Sequence, residues 1–175
     1  TWLSAICFDR AGDLTLAERK LTTFVTAISE SPMRAEARYR LGRIYQATNR
    51  HSAAKETFRS LIEDANDPET GKGVGPFALR SYVPLSQTLL ADGDPENDRE
   101  AEALLRRVVS GGLVGAQSDE YRQALVALGT LHYRKGDYVA AIERLREALA
   151  RFEGERRAHH VRFKLADAFR LESTR

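Results

Sequence analysis

The chain has little of what builds small enzymes and disulfide-bonded domains. It contains one cysteine, one methionine and one tryptophan in 175 residues. A lone Cys7 cannot close an internal disulfide, and no CxxC or Cys/His cluster with metal-ligand spacing occurs anywhere. Its default place is that of a small buried hydrophobe. Lys and Arg total 27 against 25 Asp and Glu, a net charge of +2. That balance excludes bulk charge as the basis for binding nucleic acid or an anionic membrane. No apolar run approaches the roughly 20 residues of a membrane-spanning helix, and no basic-then-apolar signal opens the chain. The chain opens on Thr1-Trp2-Leu3 and ends on a helix-like Leu171-Glu172-Ser173-Thr174-Arg175, which reads as a piece of something longer. Cytoplasm and bacterial envelope or periplasm are both compatible with this composition.

Motifs for chemistry are missing as well. Gly71-Lys72-Gly73-Val74-Gly75 invites a phosphate-loop reading, because backbone N–H groups in Gly-rich turns cradle anions. It lacks the GxxxxGK[ST] pattern and a preceding strand, so a connector is expected. His159 and His160 are neighbours, about 100° apart on a helix, and cannot share one metal as an i, i+4 pair would. His51 is expected to serve a helix end, and His132 a packed, semi-buried position. Glu143 with Glu147, and Glu100 with Glu102, read as solvated ion pairs rather than acid/base couples. No catalytic residue and no cofactor is expected.

What is present is repetition. Pairs ending in a small residue recur as Ser4-Ala5, Leu41-Gly42, Leu85-Ser86, Leu128-Gly129 and Leu165-Ala166, spaced by 37, 44, 43 and 37 residues. A bulky residue follows about one turn later: Phe8, Tyr45, Leu89, His132-Tyr133 and Phe169. A glycine inside a helix costs about 1 kcal/mol relative to Ala, so two at equivalent places argue for close helix packing. A second stripe of i, i+4, i+7 type recurs as Ala17-Leu21-Phe24, Ala54-Phe58-Leu61, Ala101-Leu105-Val108 and Ala141-Leu145-Ala148. Between the two stripes stand Gly12-Asp13, Asn49-Arg50, Gly93-Asp94 and Gly136-Asp137, which supply left-handed turns or caps.

These patterns predict helices over 2–10, 14–29, 33–48, 52–65, 77–91, 98–110, 119–134, 138–152 and 156–171. The units run over 1–31, 32–67, 76–112 and 119–154, with a partial unit at 156–175 and a Gly/Pro-rich link at 68–75. Pro84 is expected to kink or break its helix at the Arg80 carbonyl. Asn97 or Asp98 is expected to cap the helix after Pro95. Charge is uneven: Arg34, Arg38, Arg40, Arg43, Arg50, Lys55 and Arg59 face only Glu36 and Glu56, whereas Asp92, Asp94, Glu96, Asp98, Glu100 and Glu102 face only Arg99. Solvated helix faces account for this more simply than a polarised binding surface.

Leu41-Gly42 with Tyr45, Ala54 and Phe58, and Leu128-Gly129 with Tyr133, Gly136-Asp137-Tyr138, Ala141, Leu145 and Ala148, resemble the tetratricopeptide repeat (TPR) family. The likeness is strongest over 121–152, good over 35–63, and extends across nearly the whole chain. It departs from the family in its spacings, none of which is the usual 34 residues, and in lacking the helix-ending proline of the fourth unit. The 37-residue spacings are similar to those of bacterial envelope members. The resemblance implies an all-α superhelix, a TPR-like solenoid of about four helical hairpins plus a terminal helix. It also implies a protein-binding scaffold whose first helices line a concave groove.

By that resemblance Trp2, Ile6, Tyr39, Arg43, Gln46, Val83, Gln87, Leu90, Val126, Thr130, Tyr133, Phe163 and Asp167 would face a partner peptide or helix. The carboxylate clamp of chaperone-binding members is absent from the corresponding places. The alternatives are a non-catalytic arm of a larger enzyme or envelope assembly that self-associates through open repeat ends, and, lower in order, a helical-repeat RNA binder.

Overall fold

A computed structural model of the chain describes residues 2–28, 31–66, 75–110, 112–151 and 158–174. Among these the fold is all-α, with helices α1 (Trp2–Ala11), α2 (Leu14–Ala27), α3 (Arg34–Ala47), α4 (His51–Asn66), α5 (Gly75–Ala91), α6 (Pro95–Ser110), α7 (Asp119–Arg134), α8 (Tyr138–Arg151) and α9 (Ala158–Ser173). The expected Gly/Pro-rich link lies outside the described residues, apart from Gly75 and the Pro76 that follows it, both of which are helical. The chain divides into two compact units, Thr1–Thr88 and Leu89–Arg175. In the first, α1 packs on α2, α2 on α3 and α3 on α4; in the second, α6 packs on α7, α7 on α8, and α9 on both α7 and α8.

The apolar stripes explain this packing. All twelve residues of the Ala/apolar/apolar signature in α2, α4, α6 and α8 are buried, Phe24 being the most exposed at 8%. Facing them in the first unit, Ala5, Ala37, Leu41 and Ile44 complete a core flanked by Trp2, Phe8, Leu14, Val25 and Tyr45. In the second unit Ala124, Leu125, Leu128, Leu131, Ala158, Val161 and Ala168 are buried.

The two helical glycines mark the closest approaches. A Cβ built on Gly42 would lie 2.6 Å from Cε1 of Phe58, and one on Gly129 would lie 2.6 Å from Cγ of Leu145. Any side chain there has to displace Phe58 or Leu145, which explains why a poor helix former stands at both places.

Turn chemistry sets each hairpin. Gly12, Asn49, Gly93 and Gly136 all adopt positive φ, between 56° and 79°. In three turns the backbone closes with paired bonds: Gly12 N to Asp9 O and Asp13 N to Phe8 O, Asn49 N to Gln46 O and Arg50 N to Tyr45 O, Gly136 N to Tyr133 O and Asp137 N to His132 O. This is the Schellman pattern, which satisfies the last carbonyls of a helix and requires a residue that tolerates the left-handed region. Asp13 and Asp137 then accept from Leu16 N (3.0 Å) and Ala140 N (3.2 Å), capping the next helix.

Several expectations are corrected. Of the expected kink or break at Pro84, the break does not occur: α5 runs from Gly75 to Ala91 with Pro84 inside it. Its Pro84 carbonyl accepts from Thr88 Oγ1 (2.8 Å) and from Gln46 Nε2 (3.2 Å), which tie down the turn that follows the proline. α6 starts at Pro95, with Asp94 accepting from Glu96 N (2.9 Å), rather than at Asn97 or Asp98. Proline suits the first helical turn because its missing N–H would have no partner there. His51 makes no cap: its Nδ1 is buried without a hydrogen-bond partner among the described residues. Cys7 is exposed, on a face of α1 shared with Leu3. Ala166 is exposed and Phe169 is 43% exposed, because the only described neighbours of α9 are α7 and α8, and they lie against its other side.

Candidate interaction face

In the first unit, residues from three first helices line one cleft of about 210 Å³: Asp9 from α1, Glu36, Tyr39, Arg40 and Arg43 from α3, and Phe77 and Arg80 from α5. Its wall is aromatic. Tyr39 lies 6.0 Å from Phe77 and 6.0 Å from the buried Phe58, ring centroid to centroid, in tilted arrangements. The Arg80 guanidinium sits 5.7 Å from the Phe77 centroid.

The cations around this cleft differ in what they already hold. Arg40 donates to Asp9 Oδ2 (2.5 Å) and to Glu36 Oε1 (2.7 Å). Burial pulls its pKa down, but the hydrogen bonds to Glu36 and Asp9 outweigh that and leave it raised. Elsewhere in the unit Arg38 donates to Asp64 (2.5 Å) and Ser60 (2.7 Å), and Arg50 grips Glu18 through both carboxylate oxygens at 2.7 and 2.5 Å. Arg43 is exposed and makes no hydrogen bond or ion pair among the described residues. Within the locally basic stretch read from the sequence, Arg38, Arg40 and Arg50 are therefore paired with acids inside the fold, whereas Arg43 has no such partner among the described residues.

The residues expected to face a partner fall into three groups. Arg43 and Gln87 are exposed, and Phe163 is 74% exposed. Trp2, Ile6, Tyr39, Leu90, Val126 and Thr130 are half-buried. Trp2 packs at a tilt on Phe24, centroids 5.4 Å apart, and belongs to the edge of the core. Gln46, Tyr133 and Asp167 are engaged within the fold. Gln46 donates to Pro84 O and Thr88 Oγ1, both 3.2 Å, and so ties α3 to α5. The Tyr133 hydroxyl donates to Asp167, which also takes Arg170 at 2.7 Å. These bonds, the Tyr133 one first, hold Asp167 below the usual carboxylate range, and the same contact raises Tyr133. Val83 is a correction: at 1% exposure it offers no surface to a partner.

Phe77 and Arg80 were absent from the sequence-derived set. Alignment on Leu85-Ser86 pointed to Val83, Gln87 and Leu90, whereas the first turns of α5 are what lie beside Tyr39. Phe77 and Arg80, three residues apart at a helix start, carried the signal, but the alignment placed the groove later in that helix.

A larger cleft of about 550 Å³ opens in the second unit between α6, α7 and α8, lined by Arg106, Tyr121, His132, Asp137, Glu143 and Arg144 among others. Its charged groups have partners already. Arg106 donates to Glu102 (2.7 Å), Arg144 to Glu147 (3.2 Å), and His132 Nδ1 lies 3.5 Å from Asp137. Glu143 and Glu147 sit beside Arg144 and Arg151 as ion pairs. His159 and His160 are exposed. Among the described residues no group of three or more His, Cys, Asp or Glu could hold a metal, and no helix is long and apolar enough to cross a membrane.

Comparison with known proteins extends the geometry. Tetratricopeptide repeat profiles match residues 10–71, and residues 85–155 and 126–173. No curated protein sequence matches the chain. Among solved structures, the nearly identical TPR-like repeats of a Podosopora anserina protein described as a kinesin light chain superpose in two forms. One carries a point substitution (TM-score 0.70) and one does not (TM-score 0.65). Each is 20% identical to this chain, covering 98% of it and 84% of the other. At that identity the likeness concerns the fold alone. The family profiles and the repeated glycine-packed hairpins agree: this chain belongs to the tetratricopeptide repeat family, a helical-repeat module that generally serves protein–protein interaction and is generally non-catalytic.

Proposed function

We propose that this chain is a non-catalytic scaffold that holds a partner peptide or helix against the exposed faces of its first helices. The observation that carries this reading is the cleft of the first unit, where side chains of α1, α3 and α5 converge around Tyr39, Phe77 and an Arg43 that has no partner among the described residues. Rigid aromatic rings beside a guanidinium are the side chains most often found to dominate protein interfaces. In the second unit Val126, Thr130 and the exposed Phe163 offer a more apolar face, with Tyr133 and Asp167 locked together beside it.

The test is selection of a random twelve-residue peptide library on the immobilised protein, followed by binding measurements on the enriched sequences. Tyr39→Ala is expected to weaken an enriched peptide by roughly tenfold or more, as loss of a central aromatic anchor does. A library that yields no enrichment, or peptides that bind the variant undiminished, removes this reading. Self-association is the second reading, favoured by Phe163 at 74% exposure; light scattering over a concentration series, with Phe163→Ser as control, separates the two.

A further inference from the structure

The geometry points to a defined occupant for the first unit's cleft: an extended peptide that places an acidic side chain on Arg43 and a neighbouring apolar side chain on the Tyr39–Phe77 wall. This inference rests on the peptide-binding reading above and names the chemistry of the partner. A guanidinium presents its donors as a planar fork that matches a carboxylate through two parallel hydrogen bonds. The same unit shows that geometry, with Arg50 holding both oxygens of Glu18 at 2.7 and 2.5 Å. Arg43 has the same fork, stands exposed in the cleft, and has neither hydrogen bond nor ion pair among the described residues. Its requirement for an acceptor is met by water or by a partner.

Charge complementarity selects the partner's sign. Arg40 faces two carboxylates, Asp9 and Glu36, and that trio carries one net negative charge. Arg43 adds a cation that no described residue answers, and a single carboxylate delivered to it fits the cleft. A phosphate backbone does not, because successive phosphates need a stripe of cations and would here run against Asp9 and Glu36. Beside Arg43 the cleft carries two aromatic rings: Tyr39 and Phe77 lie 6.0 Å apart, with the Arg80 guanidinium against the Phe77 ring. Such a wall takes a leucine or an aromatic side chain close in sequence to the acid. In an extended peptide, residues i and i+2 point the same way, about 6–7 Å apart, so the two contacts can be made together.

Fluorescence polarisation with synthetic fluorescein-labelled octapeptides tests this. One peptide carries Leu-Ser-Glu in a Gly/Ser background, a second has Gln in place of Glu, and a third has Lys there. The Glu peptide is expected to bind roughly tenfold tighter than the Gln peptide, the size of one charge-assisted bidentate contact. Arg43→Ala is expected to erase that preference, and Arg43→Lys to keep part of it; Arg43 is exposed, and a thermal melt checks that both variants fold. Equal binding of the Glu and Gln peptides, or a preference that survives Arg43→Ala, overturns the inference. So does tighter binding of a single-stranded RNA oligonucleotide that Arg43→Ala abolishes. A library-selected peptide that needs Tyr39 but is indifferent to Arg43 overturns this inference alone and leaves the broader peptide-binding reading standing. Absence of binding by every peptide removes both.

Discussion

The α3–α4 hairpin of the first unit and the α7–α8 hairpin of the second lie 87 residues apart in register and are packed on one plan. Gly42 meets Phe58 as Gly129 meets Leu145, and Ala54 and Ala141 are fully buried at the start of the second stripe. Their polar positions have diverged. Where the first hairpin has Tyr45 and Arg50, with the guanidinium 4.6 Å over the ring, the second has His132 and Asp137, with Nδ1 3.5 Å from the carboxylate. Asp137 also caps α8; Arg50 has no acceptor to do so and instead reaches back to Glu18.

The acid it reaches recurs. Glu102 follows Ala101 in α6 as Glu18 follows Ala17 in α2, and it takes Lys135 at 2.6 Å. A link between successive hairpins is thus retained while the cation that makes it moves along the turn. The outward positions diverge furthest: Tyr39, Arg43 and Gln46 correspond to Val126, Thr130 and Tyr133. Buried geometry tolerates few solutions, and a face left to solvent is free to vary.

The sharpest way to probe the shared plan is to empty its centre. Phe58→Ala is expected to cost about 3–5 kcal/mol and Leu145→Ala about 2–5 kcal/mol, read by urea denaturation. A cost under about 1 kcal/mol at either site would show that the two hairpins do not share this packing.

Adding a methyl group separates the hairpins more finely. Gly129→Ala puts Cβ against the Cγ branch of Leu145 and within 3.3 Å of its backbone nitrogen, whereas Gly42→Ala meets only ring atoms of Phe58. Overpacking of about 1–3 kcal/mol, less about 1 kcal/mol of improved helix propensity, leaves Gly129→Ala the more destabilising of the two. The reverse order in thermal melts would mean that the Phe58 ring, rather than the Leu145 backbone, is the stiffer wall.

The smallest expected effect concerns the acid links. Hydrogen bonding to Arg50 lowers the Glu18 pKa, and hydrogen bonding to Lys135 lowers that of Glu102, each against an opposing push from burial. A depressed folded-state pKa contributes stability that is present above the unfolded carboxylate value, about 4.3, and is lost as pH falls through the folded value. Both pairs are partly exposed, so solvent screens each link and its contribution is small. Glu18→Gln and Glu102→Gln should each lower stability at pH 7 and flatten its decline below about pH 4.5. An unchanged acid limb in either variant would show that its link carries no weight.

Sequence periodicity was enough for the helices, since apolar spacing, a left-handed residue in each turn and the two glycines are local signals with one geometric solution. The repeated motif residues carried the resemblance to the family, and the two glycines the expectation that a neighbouring helix approaches closely there. Periodicity did not determine which polar side chains would be spent inside the fold. Gln46, Tyr133 and Asp167 look like groove residues on a helical wheel, yet each finds a partner on another helix, more than 30 residues away in sequence. Likewise Phe77 and Arg80 join Tyr39 and Arg43 because the first turns of α5 lie beside α3. Which residues belong to a helix is a property of neighbours along the chain; which of them stay available to another molecule depends on neighbours in space, and only the tertiary structure decides that.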